Sequence, residues 1–392
     1  MSEYNFLPSS RPAGRAVRRA AVAVYVAICG AVIIGFAALA IDIGMLYATQ
    51  AEMQRCADAT AMAATWELLG EERLLGGASL DELELLARET AAYVGSRNPV
   101  HHDAPIIDES EDVEVGYLSD LTYGGSLVFT DAAPANAMRI RVRRDSERGG
   151  SIALYFARFL GADSKDLLAE AVAGFQDGIV GYEVTDETGN ADLLPFALHV
   201  DYWEGLLAGT TYTGDDYSYD PETGTVSSGP DGVLELNLYP GGGGGQLPPG
   251  NFGTVDIGAS NNSTADIRRQ ILYGVNAEDL SYFGGQLVFG EDGTFELNGD
   301  TGLSAGFKDA LEAIIGQPRA IPIFSEVSGN GNNAMYTIVR FGGIRIMDVR
   351  LTGPMSQKHV IVQNGVVVDD AVVAGPGPGP ADYVYSPVRL VR

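Results

Sequence analysis

The apolar positions of this chain change period along its length. Residues 20–41 run for 22 positions without a charge. As a helix this run would measure ~33 Å, enough to cross the ~30 Å hydrocarbon core of a bilayer. Beyond it, Ile43, Leu46, Tyr47, Gln50, Met53, Ala57, Thr60, Ala61 and Ala64 recur at the three-to-four spacing of one helix face. The spacing therefore predicts a helix that leaves the apolar run and continues unbroken to about Gly70. Glu52 and Arg55 are spaced to pair on its wet face.

From residue 71 the pattern shortens. Ser79 is placed to cap a helix over 80–96, with Leu83, Leu86, Ala87, Thr90 and Val94 on one face, and Asn98-Pro99 stops it. Strands are expected over 113–117, 126–129 and 139–142, where Ile140 and Val142 alternate with arginines, and a second helix around 165–173. After about Val180 glycine concentrates; the chain holds 50, well above the ~7% average usage. Short helices are expected at 265–273 and 306–315, and strands at 286–289, 336–341, 343–351, 359–362 and 366–368. The glycine run 241–245 reads as a looped break and 375–380, "GPGPGP", as the start of a semi-extended tail.

The expected fold class is α+β. It divides into a basic head (1–19), a transmembrane helix (20–41), a juxtamembrane helix (42–70), a first α+β module (71–178), a β-rich, Gly-rich α+β domain (179–374) and a Gly/Pro tail (375–392). Charge supports this order. Arg11, Arg15, Arg18 and Arg19 precede the apolar run against Glu3 alone, while the whole chain is at −27. The positive-inside rule then puts the head in the cytoplasm and the acidic body outside, as in a bacterial inner-membrane protein. An acidic body argues against nucleic acid as a partner. Ala38-Leu39-Ala40 looks like a signal cleavage site, but signal cores are ~7–15 residues and this run is longer, which favours an anchor.

Candidate chemistry is sparse. Gly302-Leu303-Ser304-Ala305-Gly306 matches G-x-S-x-G, and Asp348 and His359 follow in hydrolase order. However, residues 298–301 separate the preceding strand from Ser304, so a helix N-cap explains the serine better. His101 and His102 lack a third ligand at suitable spacing, and the clusters at Asp215-Asp216 and Asp292 to Asp300 have no EF-hand order, so no metal or cofactor is expected. Cys29 and Cys56 would lie ~40 Å apart on one helix and cannot bridge; Cys56 is left as an intermolecular disulfide or a buried thiol.

Asp42-x-Gly44-x-x-Tyr47, then Glu52-x-Gln54 and the run Ala57-Asp58-Ala59-Thr60-Ala61-Met62-Ala63, resembles the N-terminal segment of TadG-like proteins of the tight-adherence (Flp pilus) assembly systems. The likeness covers about residues 15–64. Residues 156–175 resemble the segment that closes the first outer region in TadE/TadG-like proteins. Some TadG-like proteins carry a D-x-S-x-S metal motif; the string Asp108-Glu109-Ser110-Glu111-Asp112 lacks its second serine, so a metal-dependent adhesion site does not carry over.

The resemblance implies a non-enzymatic, single-pass component that assists assembly or anchoring of a Flp-type pilus through helix packing and an outer interaction domain. It points to Asp42, Gly44, Tyr47, Gln54 and Asp58, with Ala48 completing a small-xxx-small pair with Gly44. Expected partners are membrane lipid, other pilus-assembly or pilin-like subunits, and further copies of the chain. The alternatives are an envelope protein unrelated to pili and a membrane-anchored serine hydrolase using Ser304.

Overall fold

The computed structural model describes residues 14–76, 78–119, 121, 134–239, 252–258, 263–300, 304–329, 334–375 and 379–391. The strand expected at 126–129, the glycine run 241–245 and part of the Gly/Pro stretch lie outside these residues. Among the described residues one helix is long and apolar enough to cross a membrane. It is α1, Gly14–Glu67, 54 residues without a break. Its most apolar 18-residue window has a mean hydropathy of 2.6 and is wholly unburied, unlike the core helix of a soluble protein.

Past Asp42 the same helix becomes a core element. Met53, Cys56, Ala57, Thr60, Ala61, Ala64, Thr65 and Leu68 form its buried stripe, alternating three and one residues apart. Against it pack α2 (Ala78–Arg97), β1 (Val113–Gly116), β2 (Ala137–Arg144) and β5 (Leu167–Gly174), and between β2 and β5 in sequence the short strands β3 (Ile152–Ala153) and β4 (Ser164–Lys165) pair as a hairpin. α2 buries Leu83, Ala87, Ala91 and Gly95, an every-fourth-residue line. Leu86 of the expected face stays 43% exposed. Small residues on both helices explain that choice, because they let the backbones approach. Cys56 Sγ lies 3.7 Å from the Gly95 carbonyl, and a Cβ on Gly95 would sit 2.1 Å from Ile107 Cδ1. Cys56 is thus a buried thiol, and burial raises its pKa against the lowering effect of Thr60.

The helix expected at 165–173 is instead β5. Its alanine-rich sequence favours a helix, but Ala169, Ala171 and Ala173 alternate inward against α1, and all eight residues pair antiparallel with β2. Pairing and packing override propensity here. On the other face the arginines of β2 meet acids. Arg139 and Arg141 bridge Glu114 at 2.9 and 2.6 Å and Glu170 at 3.3 and 3.2 Å, and Arg143 reaches the buried Asp112 at 2.7 Å. The string 108–112 is held by Arg148 through Asp108, Glu111 and Asp112.

The remainder is β-rich. In chain order it comprises β6 (Ile179–Glu183), β7 (Phe196–His199), α3 (Val200–Leu207), β8 (Tyr217–Asp220), β9 (Thr225–Ser228), β10 (Glu235–Asn237), β11 (Phe252–Val255), α4 (Thr264–Tyr273), α5 (Ala277–Ser281), β12 (Gln286–Val288) and β13 (Phe295–Asp300). Then follow α6 (Lys308–Glu312), β14 (Pro318–Ser328), β15 (Ala334–Arg350), β16 (His359–Asn364), β17 (Val367–Val368), β18 (Val372–Ala374), β19 (Ala381–Asp382), β20 (Val384–Tyr385) and β21 (Arg389–Val391). The strands expected at 336–341 and 343–351 are one strand, β15, 17 residues long. Its Gly342-Gly343 sits under Trp203 and against the Gly365 and Tyr383 carbonyls, where a side chain would clash. Strands β15, β13, β11, β7 and β14 hydrogen-bond in that order, and β14 pairs back onto β15, so the five close into a ring.

Two interactions fasten this part to the membrane-proximal part. The segment expected as a tail ends in β21, which pairs with β5 at Val172–Gly174. Arg345 of β15 is 1% exposed and holds Glu71, just beyond α1, at 3.1 and 2.5 Å while stacking on Tyr219. Removing one member of such a pair leaves a buried charge unmatched. Glu71→Ala is expected to destabilise the protein by about 3 kcal/mol in denaturant unfolding, with the double variant Glu71→Leu/Arg345→Met recovering most of that loss.

Candidate functional site at the membrane exit

Asp42 follows the last residue of the apolar run, yet its side chain is 1% exposed. The β3–β4 hairpin brings its tip to the helix, and the carboxylate accepts the backbone N–H groups of Tyr155, Phe156 and Ala157 at 2.9, 2.9 and 2.6 Å. These amides open the 3-10 turn Ala157–Leu160. Asp42 therefore caps, from a distant element, a turn whose first donors would otherwise be unsatisfied. Gly161 ends the turn at φ +93°, a conformation suited to glycine. Burial pushes the Asp42 carboxyl upward, but the three amides outweigh it and hold it below the usual value.

About two and three turns further along, Gln50 Nε2 donates to the Leu168 carbonyl at 2.8 Å and Gln54 Nε2 to the Glu170 carbonyl at 3.0 Å. Four residues of helix rise ~6 Å and two residues of strand ~6.7 Å, so glutamines four apart match carbonyls two apart. Both carbonyls belong to the part of β5 that β21 does not cover. The glutamines thus occupy an otherwise open strand edge. Gln54 also donates to Asp58 at 2.8 Å. Glu52, expected to pair with Arg55, accepts the N–H of His101 at 2.8 Å and steadies a turn in which His101 and His102 both have positive φ.

Gly44 and Ala48 make no part of this clasp, and Tyr47 stands at its border, in a groove with Leu46, Gln50 and Leu167. Tyr47 is 75% exposed, Ala48 is exposed, and a Cβ on Gly44 would meet no atom within 4 Å. Ile43 and Tyr47, expected on the packed face, remain open, while Leu46 and Gln50 are half-buried. The motif is therefore split: Asp42 and Gln54, with Asp58, fasten the helix to its own head, Tyr47 borders that clasp, and Gly44 and Ala48 are left exposed.

Ser304 caps the turn Ala305–Phe307, accepting the Gly306 N–H at 3.2 Å. Asp348 and His359 do meet, Nε2 to Oδ2 at 2.5 Å, across the β15–β16 pair, and the Tyr217 hydroxyl donates to the same carboxylate oxygen at 3.2 Å. That accounts for both His359 and Ser304 as local structural contacts. Asp215 accepts the N–H groups of Asp231 and Gly232 and so ties two loops together, and Asp292 accepts that of Thr294, as a turn-forming acid does. Among the described residues there is no cluster of three or more potential metal ligands.

The hairpin tip at Asp42, the Glu71–Arg345 pair and the arginine Arg73, which lies 5.2 Å from the rings of both Phe175 and Tyr385, were not singled out from sequence. A lone acid directly after a span was the one available signal.

A long apolar helix that runs unbroken into an α+β head has the architecture of a membrane-anchored protein on an extended stalk. Residues 20–67 match the family described as putative Flp pilus-assembly TadE/G-like, and residues 76–173 the one described as putative Tad-like Flp pilus-assembly. Over these two segments the chain is similar to Tad-like Flp pilus-assembly proteins, and its apolar helix has the length and composition of a membrane anchor. The first match ends with α1 and the second within β5, so both cover the membrane-proximal part. No curated protein and no solved structure matches the chain.

The lowered Asp42 carboxyl has a defined pH consequence. A depressed folded value stabilises the fold above the unfolded value near 3.8 and loses that contribution as pH falls through the folded value. Acid unfolding followed by circular dichroism in detergent is expected to show wild type losing stability below pH 3.8 more steeply than Asp42→Asn.

Proposed function

We propose that this chain is a non-enzymatic part of a Flp pilus assembly, held in the cytoplasmic membrane with its N-terminus inside and its α+β head outside. Its work is packing: α1 docks other pilus-assembly or pilin-like subunits, or further copies of itself, beside the membrane. The observation that carries this reading is the split of the α1 surface at the exit. Asp42, Gln50 and Gln54 clasp one side to the head with Tyr47, 75% exposed, at its border, and the side beyond presents Gly44 and Ala48, with no atom within 4 Å of a Cβ placed on Gly44. Small residues at i and i+4 let a second helix approach closely, and the neighbouring tyrosine suits the membrane–water boundary. The arginine-rich head before the span supports the orientation.

The two-part division supports a matching division of labour. The unit built on α1, α2 and the β1–β2–β5–β21 sheet carries the family matches and holds the stalk. The ring-forming β-rich domain, over residues 179–374, is assigned the role of outer interaction surface.

A strain lacking the gene is expected to show no thin surface pili by electron microscopy, with pili restored by the wild-type copy. Gly44→Leu, which meets open space in the isolated chain, is expected to accumulate in the membrane with unchanged thermal stability and yet restore few or no pili. Full piliation by Gly44→Leu would remove the exposed face from the assembly, and normal pili in the deletion strain would remove the protein from it.

A further inference from the structure

Phe159 and Leu160 are 77% and 82% exposed, the two highest values among the exposed large apolar side chains of the described residues, above every large apolar side chain of the span itself. They sit at the tip of the β3–β4 hairpin with Tyr155 and Phe156, 61% and 40% exposed. The tip does not point into bulk solvent at random. Phe156, Ala157, Phe159 and Leu160 form one wall of a groove whose other wall is Gly35, Ala38 and Leu39 of α1. Gly35 lies seven residues before Asp42, ~10 Å further along the helix toward the membrane. The hairpin therefore reaches back past the exit point, alongside the apolar run.

We propose that this tip is a second membrane contact, with the aromatic and leucine side chains of residues 155–160 lying in the outer leaflet beside the span. The proposal rests on the reading that residues 20–41 cross the bilayer. Irregular backbone enters hydrocarbon only when its polar groups are satisfied within the protein, and six amides of this tip find partners in the chain itself. Asp42 takes the N–H groups of Tyr155, Phe156 and Ala157. The turn closes Phe159 N–H on the Phe156 carbonyl, Gly161 on Arg158 and Ala162 on Ala157, all at 3.1 Å. The guanidinium of Arg158 lies 5.3 Å from the Phe159 ring, a placement from which a long cationic side chain extends to lipid headgroups while its stem stays apolar. The occupant that fits is lipid, because the groove opens onto the part of α1 that lipid already surrounds.

The contact fixes how the head sits on the membrane. A single helix leaves its head free to tilt, whereas a helix and a hairpin tip fastened together at Asp42 define two points of support.

The test uses full-length protein in phosphatidylcholine vesicles containing lipids brominated on the acyl chains, with Phe159→Trp and Phe36→Trp as separate variants. The native tryptophans form the background: Trp203 is fully buried, and Trp66 lies ~36 Å along α1 from Asp42. Loss of the added emission of both variants supports the proposal. Loss for Phe36→Trp with none for Phe159→Trp overturns it and leaves the span in place. No loss for either overturns the span reading and the proposal with it. Adding Asp42→Asn to Phe159→Trp is expected to weaken the quenching, while unchanged quenching would show that the tip is not held there by Asp42.

Discussion

A carboxylate one residue past the end of a membrane span must either remain hydrated or be coordinated by the protein. Asp42 is coordinated, by three consecutive amides of the 155–157 backbone. Each side of this contact satisfies the other: the acid is buried without losing its charge, and the turn gains partners for donors its own backbone cannot serve. It joins residues 113 to 115 positions apart in sequence. The level of the hairpin, the face of α1 that turns toward β5, and the registration of Gln50 and Gln54 on the strand edge all follow from it.

Above that point the structure is governed by small side chains. Alanines of α1, α2 and β5 meet with little between their backbones, so the buried stripe of a helix that began as an exposed apolar run becomes the core of an α+β unit without a change of helical conformation. The price is sensitivity to volume, since a single methyl group at Gly95 would drive Ile107 from its place. The β-rich part has a different economy, with bulky aromatics such as Tyr182, Phe324, Tyr336 and Phe341 packed edge to face inside or beside the ring of strands. Arg345 with Glu71, and β21 with β5, couple the two.

The helix, its continuation and the α+β class were legible because each rests on local pattern: an uncharged run long enough to span, then a 3.6-residue period. The arginine alternation in β2 was legible for the same reason. What could not be read depends on contacts far apart in sequence. Leu167–Gly174 has helix-forming composition and becomes a strand only because β2 and α1 are there to receive it. The terminal segment looked like a tail, yet Arg389–Val391 completes a sheet begun at residue 113. Of the motif residues, Asp42 and Gln54 clasp the chain to itself while Gly44 and Ala48 do not, a division that depends on where the hairpin and β5 lie. The closing of five strands into a ring, with one parallel pair between β7 and β14, left no periodic mark at all.

The central claim is that Asp42 fixes the head to the membrane span through the amides of Tyr155, Phe156 and Ala157. Hydrogen exchange of these three amides in the membrane-reconstituted protein tests it most directly, comparing wild type with Asp42→Asn. The account predicts slow exchange in wild type and fast exchange in the variant, with protection of the β2–β5 pairing unchanged. Fast exchange of all three amides in wild type would contradict it.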